Sequence, residues 1–307
     1  MDQVTLVECP RDAWQGLTKI IPTHAKVAYL RKLIEGGFTH LDAVSFVAPK
    51  YVPQMADSED VLRQLQALGL LRARDNGHTH SLSGGPEMEV EITGIVVNEQ
   101  GLKRALTAPG LLTLGYPYSV SVNFRRQNAN MSQSESRALA VKLEEASRIS
   151  RNKLVVYISM AFGNPFGEPW NPEVTVEAVE WLKKIGVKTI SLADTVGLAT
   201  PKEVEGLFRE AKARAEDIEL GVHLHGRKQE AAEKVLAAYE AGCRRFDGAL
   251  TGLGGCPFAG DTLVGNIPTE IIVSTLAARG ASSGIEPGAM HRAVEATQEV
   301  RRQYLDV

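Results

Sequence analysis

The sequence predicts an α/β fold, a closed TIM (β/α)8 barrel with an additional C-terminal helical segment, and three observations carry that prediction. Short apolar runs rich in β-branched residues alternate with longer segments of helical period, the pattern of successive parallel β/α units. Eight such runs occur, at about 4–9, 39–46, 90–97, 117–123, 154–160, 188–192, 218–224 and 244–250. The chain has 307 residues, a length that suits one barrel, and no proline-rich or low-complexity linker divides it. We therefore expect a single domain, with the barrel over about 4–280 and a helix at about 288–305 that covers the barrel or serves a subunit contact.

Composition narrows the function classes. The 34 Lys+Arg against 37 Asp+Glu give a formal net charge of -3, without a block of like charges. Neither a nucleic-acid footprint nor a polybasic membrane anchor is expected. A chain that is 44% hydrophobic, yet lacks an unbroken membrane-length apolar run, is expected to be soluble with a sizeable core. The three cysteines, Cys9, Cys243 and Cys256, are odd in number and lack C-x-x-C spacing, which argues against a disulfide framework or a thiolate zinc site. The opening Met1-Asp2-Gln3 leads straight into an apolar strand with no signal-peptide pattern. A cytoplasmic protein is the expectation.

In such a barrel, chemistry collects at the carboxyl ends of the strands and in the loops that follow them. The first strand ends in Glu8-Cys9-Pro10-Arg11-Asp12, so a guanidinium and a carboxylate stand side by side at that rim. After Thr23 a helical pattern runs through Val27, Leu30, Leu33 and Ile34, and Gly36-Gly37 stops it. The second strand carries Asp42, which either belongs to the site or orders the barrel lumen, and leads into a stiff loop with Pro49 and Pro53.

Between the second helix and the third strand lies a polar insert with its own His-x-His, His78 and His80. A helix-to-strand connection lies at the opposite end of the barrel from the site, so these two are expected to be solvated loop residues. The fourth strand leads to Asn123–Met131, read as a polar loop whose Arg125 and Arg126 could meet phosphate, followed by a helix cap at Ser132 with Glu135 as its acidic third position. The fifth ends near Gly163 and Gly167, glycines that permit close backbone approach to a ligand, and the sixth ends at Asp194.

The seventh strand holds the stretch on which the site reading turns, Leu220-Gly221-Val222-His223-Leu224-His225-Gly226. Two imidazoles two residues apart leave one face of a strand, where they could hold half of a metal site or be ordinary polar residues near a strand end. After the eighth strand, Gly252-Leu253-Gly254-Gly255 precedes Cys256, a mobile loop able to close over substrate and bring in a thiol. Cys9 and Cys243, by contrast, read as small buried apolar residues. Asn266 offers an amide oxygen to a hard cation. Barrel closure would gather Arg11, Asp12, Asp194, His223, His225, Cys256 and Asn266 at one mouth.

The motifs Pro10-Arg11-Asp12, Ser45-Phe46-Val47-x-Pro49-Lys50-x-Val52-Pro53-Gln54-Met55, Leu192-x-Asp194-Thr195-x-Gly197, His223-x-His225 and Gly252-Leu253-Gly254-Gly255-Cys256-Pro257 resemble those of the 3-hydroxy-3-methylglutaryl-CoA (HMG-CoA) lyase family. The likeness runs from residue 4 to about residue 280, and the cysteine loop is its most specific part. The resemblance implies a divalent cation, Mg²⁺ or Mn²⁺, held by Asp12, His223, His225 and Asn266. It further implies an acyl-CoA substrate, cleaved to acetoacetate and acetyl-CoA as in leucine degradation. Arg11 would stabilise the enolate, Cys256 would donate the proton to carbon, and Asp12 or His223 would take the hydroxyl proton. Asp42 and Asp194 would act from behind, and the resemblance leaves room for a homo-oligomer.

The chain departs from the family pattern at three places. Trp14 follows Ala13 where the family has Gly-Leu, which puts a bulky indole near the acyl pocket. Asp42 is shorter than the usual glutamate, and Gly226 stands where many members have aspartate. Rival readings are a lyase for a related 3-hydroxyacyl-CoA, a Claisen-type synthase of the same barrel group, which would carry a long carboxyl-terminal extension, and a non-catalytic barrel that binds acyl-CoA or metal.

Overall fold

The structure, a computed structural model, describes residues 2–15, 17–71, 73–75, 78–80, 89–254 and 264–305. A closed barrel of eight parallel strands forms its centre: β1 (Thr5–Glu8), β2 (His40–Ser45), β3 (Glu91–Ile95), β4 (Thr113–Ser119), β5 (Lys153–Ser159), β6 (Thr189–Asp194), β7 (Glu219–Leu224) and β8 (Arg245–Gly248). Each strand pairs with its sequence neighbours, and β8 pairs back on β1 to close the ring. Both faces of such a sheet are covered, which is why β5 reads Leu154-Val155-Val156-Tyr157-Ile158 without a polar break and is buried throughout that run.

Around the barrel lie α1 (Pro10–Gln15), α2 (Thr23–Glu35), α3 (Ser58–Ala67), α4 (Glu99–Thr107), α5 (Val122–Ala129), α6 (Gln133–Ser150), α7 (Pro172–Lys184), α8 (Pro201–Arg214), α9 (Ala231–Glu240), α10 (Thr269–Ala277) and α11 (Pro287–Tyr304). Local sequence sets their ends. Ser132 and Glu135 form the expected capping box on α6, and Thr200 with Glu203 does the same on α8. Each such cap is worth about 1 kcal/mol. Gly37 ends α2 with φ at 91°, a backbone conformation that a β-carbon disfavours.

Three expectations are corrected. The fourth strand occupies Thr113–Ser119 rather than 117–123, and what was read as a polar loop after it is the helix α5, capped by the Ser121 side chain on Phe124 N. Arg125 does not face solvent from that helix; it is buried and donates from Nη1 to the Ser119 carbonyl at 2.8 Å. His78 and His80 lie not in an irregular loop but in a short antiparallel hairpin, His78–His80 against Ala73–Asp75.

Helix α11 closes one flank of the molecule. The Tyr29 hydroxyl on α2 meets the Thr297 hydroxyl at 2.8 Å, and Arg301 donates to the Thr251 hydroxyl in the turn after β8 at 3.2 Å. This is the covering role of the two that the sequence allowed. No helix among the described residues is long and apolar enough to cross a membrane.

Polar side chains fill the amino-terminal end of the lumen. His40, Glu91, Thr113, Lys153, Thr189, Glu219 and Arg245, mostly from first positions of strands, line a cavity of about 90 Å³. Glu91 accepts from Lys153 Nζ at 2.5 Å and from the Thr113 hydroxyl at 2.7 Å, while Arg245 approaches Glu219 at 3.5 Å.

Candidate active site at the barrel mouth

At the other end, two strand termini and one returning loop bring acceptor atoms together. The two-residue period of β7 sends His223 and His225 to the same side, with ring centroids 5.1 Å apart. Asp12 comes from the first turn of α1, immediately after β1, where Pro10 starts the helix. Its Oδ2 lies 4.0 Å from His223 Nε2 and 3.7 Å from His225 Nε2. The ligand atoms of Asp12, His223 and His225 all lie within 4.8 Å of one another, a grouping able to hold a metal ion.

Asn266 joins them through the backbone. It forms an isolated bridge with His225, flanked by Gly226 N to Gly265 O at 3.1 Å and Ile267 N to Leu224 O at 3.1 Å. Its Nδ2 donates to Asp12 Oδ2 at 2.8 Å and to the Leu253 carbonyl at 3.1 Å. Its Oδ1 is buried with no partner among the described residues.

The tautomer of His225 follows from its surroundings. Nδ1 lies 3.0 Å from the Asp194 carbonyl oxygen, an atom that can only accept, so Nδ1 carries the proton. His225 Nε2 faces Asp12 Oδ2 at 3.7 Å and has no hydrogen-bond partner among the described residues. The Asp12 carboxylate and the two imidazoles thus stand close enough together to share one ion. The donor set of oxygen and nitrogen atoms fits a divalent ion.

Arg11 stands beside this cluster in a nearly buried, bidentate pair with Asp42, Nε to Oδ1 at 2.9 Å and Nη2 to Oδ2 at 2.5 Å. Its Nη1 reaches Asp12 Oδ1 at 3.2 Å and Gln15 Oε1 at 3.0 Å. A register shift in β2 between Asp42 and Val44 marks a bulge at this point, a device that re-aims a side chain next to a site. Asp42 thus meets the guanidinium directly despite being the shorter carboxylate.

Electrostatics keeps the cluster charged. Burial alone would raise Asp12, but the neighbouring His225, Arg11 and His223 outweigh it and hold the carboxyl well below the usual carboxylate range. Burial likewise pulls His223 down, yet Asp247, 3.4 Å from Nδ1, and Asp12 more than compensate, so its proton affinity is raised. Burial opposes the charge on Arg11 as well, and Asp42 and Asp12 reverse that.

The remaining sequence candidates fall as follows. Asp194 lies beneath His225 rather than open to the mouth: its carboxylate accepts from Leu198 N at 2.9 Å, Ala199 N at 3.2 Å and Lys234 Nζ at 3.1 Å. Cys256 lies outside the described residues. The base of its loop is described, and there Gly254 has φ at 97° and a β-carbon would come within 2.9 Å of the Asp12 carbonyl oxygen, so the loop begins packed onto α1. Cys9 and Cys243 are both fully buried. The Trp14 indole is buried against Tyr29 of α2, ring centroids 5.3 Å apart. Two residues that sequence reasoning passed over are Asp247, against His223, and Lys234, against Asp194. Lys234 left a signal, a charge inside the buried stripe Ala231, Val235, Ala238 of α9.

Fold and site together define a barrel enzyme with an anionic, cation-ready centre at the carboxyl ends of its strands. The chain belongs to the HMGL-like family, whose model matches residues 4–297, and it is an enzyme of that lyase family. It is 33% identical over 294 residues to (R)-citramalyl-CoA lyase of Chloroflexus aurantiacus, covering 94% of this chain and 88% of that one. It is 31% identical over 277 residues to hydroxymethylglutaryl-CoA lyase of Pseudomonas mevalonii, covering 90% and 85%. The crystal structure of the HMG-CoA lyase from Brucella melitensis superposes with a TM-score of 0.84 at 28% identity, covering 98% of this chain and all of the other.

Proposed function

We propose that the chain is a divalent-cation-dependent carbon–carbon lyase that cleaves 3-hydroxy-3-methylglutaryl-CoA into acetoacetate and acetyl-CoA. The observation that carries this reading is the grouping of Asp12, His223 and His225 within reach of one ion, beside the Asp42-clamped Arg11. Asp12, His223, His225 and Asn266 would hold the cation, Mg²⁺ or Mn²⁺. Such an ion supplies Lewis acidity to substrate oxygens.

The other work falls to side chains. The tertiary hydroxyl loses its proton, the freed pair becomes the ketone of acetoacetate, and the carbon–carbon pair moves onto the thioester as an enolate. Arg11 offers its guanidinium to that enolate oxygen. Because Asp42 already fixes the guanidinium, little reorganisation is needed, and loss of one such donor typically costs about 10²–10³-fold in kcat. Asp12 and His223 both stand at the mouth as acceptors for the hydroxyl proton. Cys256 then protonates the acetyl carbon.

A second substrate, (R)-citramalyl-CoA, is favoured by the similarity to the Chloroflexus enzyme. The test is purified protein with each thioester in turn, with Mg²⁺ or Mn²⁺ and with excess chelator, following the released acetyl-CoA. Release of acetoacetate that stops on chelation is expected. A tenfold higher kcat/KM on the citramalyl thioester would reassign the substrate, and no product from either thioester would reject the lyase reading.

A further inference from the structure

Lys234 is 1% exposed, and its ammonium is enclosed beneath the mouth. It donates to Asp194 Oδ2 at 3.1 Å and to the His225 carbonyl at 2.9 Å. The peptide oxygen of that same Asp194 fixes the His225 proton on Nδ1. A single cation thus holds both ends of the link that sets the imidazole: the carbonyl of the histidine and the carboxylate of the residue that orients it. His225 in turn bridges Asn266, so the clamp reaches two residues of the mouth.

Gly226 completes the arrangement. A β-carbon there would lie 3.2 Å from Lys234 Nζ, a tight approach, and at ordinary contact distance, 3.5 Å, from its Cε. An aspartate at this position would bring a second carboxylate onto the ammonium and compete with Asp194. Glycine leaves the lysine to Asp194 and His225 alone.

We propose that Lys234 is a positioning residue for the metal-type centre, acting through Asp194 and the His225 backbone to present His225 Nε2 toward Asp12 and to hold the bridged Asn266 beside it, with Gly226 as the space that admits it. The proposal rests on the cation-dependent lyase reading, and it does not require that Lys234 touch substrate. Groups that orient ligating histidines typically cost 10–100-fold in metal affinity or activity when removed.

The experiment measures Mn²⁺ affinity directly, by titration followed by electron paramagnetic resonance, for the wild-type chain, Lys234→Met, Lys234→Gln and the control Lys26→Met. Lys26, on α2, is equally buried but pairs with Asp57 and the Gln54 carbonyl, both just before α3. Lys234→Met is expected to weaken Mn²⁺ binding about 10–100-fold. It should also lower kcat with little change in the KM for thioester, and let the His225 imidazole populate both tautomers in long-range ¹H–¹⁵N spectra. Lys234→Gln, which keeps an N–H donor, should recover part of the loss, and it carries the test if the methionine variant does not fold. Lys26→Met should bind Mn²⁺ like wild type. If Lys234→Met, or Lys234→Gln in its place, loses no more affinity than the Lys26 control, the positioning role is overturned. Absence of Mn²⁺ binding in the wild-type chain would instead sink the metal reading on which the role depends.

Discussion

The two ends of the barrel lumen are built from the same kinds of side chain and differ in what those side chains leave undone. At the amino-terminal end, donors face acceptors: Lys153 and Thr113 satisfy Glu91, and the unpartnered Arg245 Nε lies 4.0 Å from Asp247 Oδ1, itself unpartnered, a gap that a water or slight movement closes. At the carboxyl end, the Asp12 carboxylate stands within 4.0 Å of both imidazoles, and His225 Nε2 and Asn266 Oδ1 have no partner among the described residues. A bound cation would satisfy that arrangement. Polar residues in a lumen therefore say little by themselves; the sign of what remains unpaired separates a plug from a site.

The largest expected effect breaks the mouth. Asp12→Ala or His225→Ala should remove detectable Mn²⁺ binding and reduce turnover at least 10³-fold, more than any orienting residue would. His223→Ala should damage both binding and turnover, whereas Cys256→Ser should lower kcat by about 10²–10⁴-fold, the usual range for a general acid, with Mn²⁺ affinity kept. Equal loss of Mn²⁺ affinity in the His223 and Cys256 variants, measured by the same titration, would contradict the division of labour between them.

A smaller effect tests the rim that carries the cysteine loop. Burial pushes the Glu8 carboxyl up to about 8, against partial relief from the Leu250 amide and the Thr269 hydroxyl that bond to it. With the folded value above the unfolded 4.5, the folded chain holds the extra proton between those limits. The stabilisation is complete below the lower value and is lost as pH rises through the upper one, levelling off above it. Glu8→Gln should flatten urea-unfolding stability across that window and gain a few kcal/mol at its alkaline end. An unchanged slope in the variant would mean that Glu8 ionises normally.

What the sequence disclosed and what it hid divide along the same physical line. Periodicity announces parallel strands buried on both faces, so β5, β6 and β7 were legible almost to the residue. The fourth strand was displaced because Pro117 reads as a strand start, while in the closed barrel it sits inside β4 opposite Tyr157. The apolar alternation also continues past Ser119 into Val120 and Val122, where Ser121 already caps a helix. At the mouth, His223, His225 and Asp12 were legible from residue type and strand ends. The clamp of Asp42 on Arg11 was not, nor the lysine under His225, because both depend on which side chain crosses between elements far apart in sequence. The direction of Trp14 was hidden for the same reason: nearness in sequence to Asp12 does not tell which way the indole turns, and it turns to Tyr29.

The smallest expected effect lies at the plugged end and sharpens the contrast from the other side. Burial would raise Glu91, but Lys153 and Thr113, with help from His40, outweigh it and leave the carboxyl lowered. Its stabilisation is present above the unfolded value and lost as pH falls through the lowered folded one. Lys153 is largely exposed, its side chain 67% accessible, so solvent screens the pair and the charge is worth only about 1 kcal/mol or less. Glu91→Gln keeps an acceptor for the Thr113 hydroxyl and removes only that screened charge. A drop of about 1 kcal/mol in unfolding free energy at neutral pH, shrinking toward acid, is expected, with Mn²⁺ affinity and kcat unchanged. Loss of metal binding in this variant would show that the two ends of the lumen are coupled, and the separation between plug and site would have to be abandoned.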